Sequence, residues 1–336
     1  MPIRIAINGF GRIGRCVFRA AWADPELEIV HINDLTSDDL LAHLLSNDSV
    51  HGAFGHKVEA VEGGLQVADR LISTSAQPNP ALLPWAAKNV DLVLECTGRF
   101  SARDKAQMHI DAGANHVIIS APAAGADATI CVGVNDEKLD PSSHKVISNA
   151  SCTTNCLSPL AKVLNDNFGI VHGLMTTVHS YTMDQNMLDA PHKDFRRARA
   201  AAINMIPTST GAAKAVGLVL PELAGKLGGM AIRVPTPNVS LVDLVVELEK
   251  PTTAEEINAA ITAAANGPMK GILEAADAHL VSGDCVGNPH SSIVDTPLTV
   301  GMGKNFFKLL SWYDNEWGFS NRMLDLSRIL YGLERK

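Results

Sequence analysis

Aromatic side chains are scarce in this chain, 5% of 336 residues, and an excess of positive charge is absent: the formal net charge is −8. A dedicated nucleic-acid or anionic-membrane binder needs a basic surface, so both classes are disfavoured, although a few local arginines can still hold an anion. No stretch approaches about 18 consecutive apolar residues, and no membrane-spanning helix is expected. Met1-Pro2-Ile3-Arg4 runs directly into strand-like sequence with no apolar leader, so a cytoplasmic location is expected. Cysteine is sparse: Cys16, Cys96, Cys131, Cys152, Cys156 and Cys285 read as free thiols rather than a disulfide framework. Gly and Pro occur at ordinary frequencies, which excludes a collagen-like or disordered chain. Internal repeats and low-complexity linkers are missing too.

What is present is a change of rhythm. At about 100–200 residues per domain, the length suggests two domains, each able to bury a core. In the first 150 residues, short β-branched runs at 3–7, 29–33, 91–95, 116–120 and 145–148 alternate with helix-like stretches at 12–22, 37–46 and 102–112. Strand–helix–strand alternation implies parallel pairing through right-handed crossovers, hence a doubly wound α/β sheet. After residue 150, a helix over 152–166 is followed by long alternating runs at 170–179, 229–234, 239–248 and 305–313. These predict an α+β domain with a mainly antiparallel sheet. A further helix is expected at 252–265, with Thr252 and Glu255 as its capping box, and a last one at about 319–333.

Two local patterns carry chemistry. Gly9-Phe10-Gly11-Arg12-Ile13-Gly14 places G-x-G-x-x-G after a strand and at a helix start. The first glycine permits the tight turn, the second lets the backbone approach a pyrophosphate, and the third lets helix and strand pack closely. The phosphates then meet the unpaired N–H groups of the helix start. Asp34, 20 residues after Gly14, closes a second strand where a carboxylate binds the adenosine ribose hydroxyls and repels a 2′-phosphate, so NAD is favoured over NADP. The second pattern is Ser151-Cys152-Thr153-Thr154-Asn155-Cys156, which joins a strand to a helix. A thiol at a helix N-terminus feels the positive dipole end, which lowers its pKa. Four residues apart on a helix, Cys152 and Cys156 are too far apart for a disulfide, and without a second ligand pair they are a poor zinc site; no metal is expected. His179 ends a strand-like run and is one of 12 histidines available as a base. Arg233 stands alone in an apolar strand, where either a bound anion or an internal salt bridge would account for it.

Together with Val234-Pro235-Thr236-Pro237-Asn238 and Trp312-Tyr313-Asp314-Asn315-Glu316-Trp317, these motifs resemble those of phosphorylating glyceraldehyde-3-phosphate dehydrogenases along essentially the whole chain. The resemblance implies an NAD-binding Rossmann domain over 1–150, joined by a C-terminal helix at about 317–336, and a catalytic domain over 151–316. It implies that Cys152 attacks the aldehyde of glyceraldehyde 3-phosphate with His179 as base, and that inorganic phosphate releases 1,3-bisphosphoglycerate. Gly9, Gly11, Arg12, Ile13, Gly14, Asp34, Thr97, Ser120 and Asn315 would contact NAD. Ser151, Thr153, Thr210 and Gly211 would line the inorganic-phosphate site; Thr182, Asp184 and Arg197 the substrate-phosphate site, with Arg233 near both. A homotetramer follows by the same resemblance, the segment 180–205 bordering a neighbour's cofactor pocket.

Some positions depart from that pattern. Phe319 stands where a tyrosine is usual, Gln77-Pro78 replaces a common Glu-Arg pair near the adenine, and Met183 replaces an asparagine. Leu35 and Pro191 resemble the NAD-preferring branch. An alternative is erythrose-4-phosphate dehydrogenase, whose branch the run from Pro289 to Asp295 and Phe319 resemble; against it, Thr208-Ser209-Thr210-Gly211 keeps the pattern of an enzyme that binds inorganic phosphate. An RNA-binding role on the dinucleotide pocket is secondary to both.

Overall fold

The computed structural model describes residues 1–335. The chain divides into two compact units: Met1–Ile130 with Asp136–Ala150 and the segment from Ser320 onward, and Cys131–Asn135 with Ser151–Phe319. The first contains β1 (Ile3–Asn8), α1 (Arg12–Ala21), β2 (Leu27–Asn33), α2 (Asp38–Ser46), β3 (Val58–Val61), β4 (Gly64–Val67), β5 (Arg70–Ser75), β6 (Leu92–Glu95), α3 (Arg103–Asp111), β7 (His116–Ile119), β8 (Ala128–Thr129) and β9 (Val146–Ser148). They form one nine-stranded sheet in the order β3-β4-β5-β2-β1-β6-β7-β9-β8. β1 lies parallel between β2 and β6, so the first chain reversal of the sheet falls beside the glycine turn. That is where an open α/β sheet leaves a crevice at its strand C-termini.

The parallel strands carry continuous apolar runs because helices cover both faces. Ala6, Trp85, Val93, Val117 and Val146 pack in one buried cluster. Truncating the fully buried Trp85 to alanine removes packing worth about 3–5 kcal/mol. The antiparallel strands β3, β4 and β5 were not anticipated. They are short, and β3 alternates only between half-buried and exposed positions, which leaves little apolar period to read.

The second unit contains α4 (Cys152–Phe168), β10 (Ile170–Ser180), β11 (Ile206–Thr208), α5 (Ala212–Val219), β12 (Leu227–Val234), β13 (Ser240–Leu248), α6 (Ala254–Asn266), β14 (Leu273–Ala276), β15 (Ser292–Asp295), β16 (Val300–Met302) and β17 (Phe306–Tyr313). The sheet runs β11-β12-β10-β13-β17-β15-β14, with β16 on β17. Most of its pairings are antiparallel as expected, but β10–β12 and β14–β15 are parallel, so the sheet is mixed. The parallel pair matters most, because it sets His179 directly beside Arg233.

Two element boundaries need correction. The capping box of α6 is Thr253 with Glu256, one residue later than Thr252 with Glu255. The Glu256 carboxylate accepts from both Thr253 N at 3.2 Å and Thr252 Oγ1 at 2.7 Å, so Thr252 serves that acid as a donor instead of capping the helix. The final helix, α7, runs Trp317–Leu330 and starts earlier than expected. Its later part belongs to the first unit. Arg328 pairs there with Asp24 and Glu26, and Tyr331 Oη beyond it donates to Asp91 O at 2.7 Å. Among the described residues, no helix is long and apolar enough to cross a membrane.

Candidate active site

The turn entering α4 is strained by design of the local chain: Ala150 adopts φ 56°, a left-handed conformation that costs a non-glycine residue about 1 kcal/mol or more. Ser148 Oγ holds it, accepting from Ala150 N at 3.1 Å. Ser151 then caps the helix, its Oγ accepting from Thr154 N at 3.0 Å. Cys152 follows as the first helical residue, half-buried. All six cysteines are free.

His179 comes from the end of β10, 27 residues later, and its Nε2 stands 3.6 Å from Cys152 Sγ. Nδ1 lies 2.7 Å from Ser180 O, and Arg233 Nη1 approaches that same oxygen at 2.9 Å and Nδ1 at 2.8 Å. Ser180 O accepts from Nδ1 when the ring proton is there, with Arg233 Nη1 then donating to that oxygen rather than to Nδ1, and in this tautomer Nε2 faces the sulfur with its lone pair. Burial, and after it the Arg233 charge, pull the His179 pKa down to about 3. The imidazole is therefore neutral near pH 7 and able to take a proton.

The thiol itself contradicts the expectation from the helix dipole. Burial pushes the Cys152 pKa up, with Arg233 and hydrogen bonds at the helix start acting in the opposite direction. A helix terminus contributes about 0.3–1 kcal/mol, and desolvation of a charged sulfur outweighs it here. Burial thus favours the thiol form of Cys152.

Anion-binding groups gather beside this pair. Burial holds the Arg233 pKa below its ordinary value, and the Arg197 charge acts in the same direction. Arg233 Nε is buried with no hydrogen-bond partner, a donor left open for a ligand. Arg197 is fixed by Asp184, by Thr208 Oγ1 at 3.0 Å and by Ser209 O at 3.2 Å. Thr182 Oγ1 lies 3.5 Å from Arg233 Nη1, at the far limit of a hydrogen bond. Thr210 Oγ1 accepts from Ala212 N at 3.2 Å, and Gly211 is the N-cap of α5 with no side chain to block an anion. The Thr153 hydroxyl meets Tyr313 Oη at 2.8 Å within the buried interior, and Thr153 also hydrogen-bonds the Cys152 sulfur through its side chain and its backbone. Asn315 Oδ1 accepts from Ser180 Oγ at 2.9 Å and Ser240 Oγ at 2.8 Å, which fixes its amide.

The glycine motif lies in the first unit. Gly9 has φ 92°, and a Cβ there would sit 2.7 Å from Thr97 N. A Cβ on Gly14 would meet Gly9 O at 2.2 Å, whereas one on Gly11 would enter open space. Gly11 caps α1 without a side-chain bond, so no cap side chain stands between the helix start and an anion. A cavity of about 340 Å³ opens there, lined by Gly9, Gly11, Asp34 and Thr97 among others. The Asp34 carboxylate accepts from Phe10 N at 2.7 Å and Thr36 N at 3.0 Å, which locks the loop around it.

Arg12, Ile13, Gly14 and Ser120 are not in the cavity wall. Arg12 pairs with Asp48, and Ser120 hydrogen-bonds Cys96. Sequence reasoning missed Asn8, Thr36, Cys96 and Arg99, which do line it. Their signal was position alone, at or just after the ends of β1 and its neighbours β2 and β6.

A dinucleotide seat in one unit and a thiol–imidazole pair flanked by arginines in the other define the class: a dinucleotide-dependent dehydrogenase. Comparison with known proteins narrows this. Residues 3–103 match the model of the glyceraldehyde 3-phosphate dehydrogenase NAD binding domain, and residues 151–315 match that of the C-terminal domain. The chain is 59% identical over 327 residues to glyceraldehyde-3-phosphate dehydrogenase 1 of Bacillus subtilis, covering 97% of this chain and 98% of that protein. It is 58% identical over 330 residues to glyceraldehyde-3-phosphate dehydrogenase of Priestia megaterium, covering 98% of each. The chain belongs to the glyceraldehyde-3-phosphate dehydrogenase family, whose cofactor is NAD.

Proposed function

We propose that the chain oxidises D-glyceraldehyde 3-phosphate and phosphorylates the product to 1,3-bisphosphoglycerate through a thioester on Cys152. The approach of Cys152 Sγ to His179 Nε2, 3.6 Å, beside the open guanidinium of Arg233 carries this reading. His179 takes the thiol proton as the sulfur adds to the aldehyde carbon, giving a hemithioacetal. Bound NAD supplies the hydride acceptor for oxidation of that adduct. Inorganic phosphate then attacks the thioester, forming the acyl phosphate and returning the sulfur of Cys152. Dividing oxidation from phosphorylation by a covalent step lowers each barrier separately.

The residues fit the ligands. The start of α1 suits the pyrophosphate of NAD, Gly11 leaves room for it, and the Asp34 carboxylate suits the ribose hydroxyls. Arg12, Ile13, Thr97 and Ser120 would complete that contact, and Asn315 would hold the nicotinamide carboxamide. Arg197, Thr182, Asp184 and Arg233 would hold the substrate phosphate. Ser151, Thr153, Thr210, Gly211 and Arg233 would hold inorganic phosphate.

A homotetramer of cytoplasmic location is part of the same reading. Met183, Leu188, Phe195, Ile203 and Met205 are exposed along one segment, and so large an apolar run supports coverage by another copy. Sedimentation velocity at micromolar concentration tests it. For the reaction, NADH formation is measured with the three-carbon and four-carbon sugar phosphates, with and without inorganic phosphate. Rapid, phosphate-dependent oxidation of the triose is expected. Faster, phosphate-independent oxidation of erythrose 4-phosphate would overturn the assignment, and the named relatives already weigh against it.

A further inference from the structure

Beneath the cavity of the first unit runs a buried polar chain that none of the roles above uses. Glu95 ends β6 at 1% exposure. Its Oε2 accepts from Asn8 Nδ2 at 2.6 Å and from His109 Nε2 at 3.1 Å. Its Oε1 accepts from Thr97 N at 2.8 Å and from the Thr97 hydroxyl. Trp85 Nε1 donates to His109 Nδ1 at 3.0 Å, which leaves the ring proton on Nε2, pointing at Glu95. Asn8 Oδ1 accepts in turn from Asn33 Nδ2 at 2.7 Å, and Asn33 Oδ1 accepts from Gln77 N at 2.9 Å. One carboxylate thus ties together the ends of β1 and β6, and through Asn8 that of β2.

We infer that Glu95 is a positioning residue for dinucleotide binding: its carboxylate clamps the Asn8–Gly9 turn to Thr97 and so sets the width of the seat. Asn8, Gly9 and Thr97 line the cavity, while Glu95 does not. The turn and Thr97 have no slack between them, since a Cβ on Gly9 would already lie 2.7 Å from Thr97 N. The Thr97 hydroxyl donates to Glu95 and accepts from Arg99 N at 3.0 Å, so it is held in place on both sides. Four donors converge on two oxygens, a set that a carboxylate satisfies and a carboxamide does not. Glu95→Gln keeps the volume but turns an N–H group toward one pair of donors, which forces either Asn8 and His109 or Thr97 to move. The inference rests on the reading of this cavity as the seat of NAD.

The test titrates NAD into the purified wild type, Glu95→Gln, His109→Leu and His109→Gln by calorimetry, alongside KM for NAD and kcat. Glu95→Gln is expected to raise Kd and KM about tenfold, with kcat at saturating NAD within about twofold of wild type. His109→Leu, which removes one donor, raises Kd about threefold, and His109→Gln, whose amide again donates to Glu95, restores it. A merely structural role would lower the melting temperature and the active fraction while leaving the Kd of the folded fraction unchanged. Wild-type Kd in folded Glu95→Gln overturns the clamp; so does wild-type Kd in His109→Leu, which decides the matter if Glu95→Gln does not fold. A wild type that fails to bind NAD saturably would remove the seat itself, a result distinct from refutation of the clamp.

Discussion

The dinucleotide seat and the thiol site are built by opposite means. In the first unit the ligand-facing surface is mostly backbone: a glycine turn, a helix start without a cap and the ends of adjacent parallel strands. Its glycine turn and helix start belong to one short motif whose geometry follows from which residues lack a Cβ, and Asp34 and Thr97 join it from beyond the ends of β2 and β6. In the second unit the working atoms are side-chain tips from α4, β10 and β12: strand register sets His179 beside Arg233, and the start of α4 brings Cys152 within 3.6 Å of His179. Sites of the first kind depend on the glycines and on the few side chains that hold the turn, such as Glu95; sites of the second kind depend on individual functional groups.

Substitutions should separate the two. Cys152→Ala is expected to abolish turnover, a loss of at least about 1,000-fold, while NAD binding persists; steady-state NADH formation and calorimetry read the two properties independently. His179→Asn should lower kcat by about 100- to 10,000-fold and slow alkylation of Cys152 at neutral pH, because the thiol then has no acceptor for its proton. Arg233→Ala should raise KM for the triose phosphate by about 10- to 100-fold, measured at fixed saturating NAD. Asp34→Ala acts on the other region and should narrow the preference for NAD over NADP, read as a ratio of kcat/KM values.

Acid should affect both regions through buried histidines, His31 and His116 in the first unit and His179 in the second. Burial, followed by the Lys88 charge, pulls His31 down to about 4, and His179 is held at about 3. Below pH 6.5 the unfolded chain protonates both rings while the folded protein does not until near those lower values. The unfolded state then binds more protons, so stability falls as pH drops from about 6.5 toward 4. Urea unfolding at pH 7 and pH 5 should show this loss, and His31→Asn should diminish the difference between the two pH values.

Much of the seat was legible in the sequence because its information is local. Gly9, Gly11, Gly14 and Asp34 sit at spacings that name their own geometry, and the parallel strands announce themselves as continuous apolar runs. Cys152 was legible as a helix-start thiol for the same reason. His179 was one histidine among 12, since only the β10–β12 register places it by Arg233 and within reach of the sulfur. The inward turn of Thr153 toward Tyr313, 160 residues away, has no local signature either. The direction of the Cys152 pKa shift was misread because a sequence displays the helix terminus but not the depth of burial around the sulfur. The antiparallel strands over 58–75 escaped notice because they are short and, in β3, mostly exposed.

Mass spectrometry of the protein mixed with glyceraldehyde 3-phosphate and NAD, in the absence of inorganic phosphate, tests the covalent step most directly. One acyl group on the Cys152 peptide and one NADH formed for each active site are predicted, with phosphate then discharging the adduct. NADH formation without an adduct, or an adduct on any other residue, would contradict it.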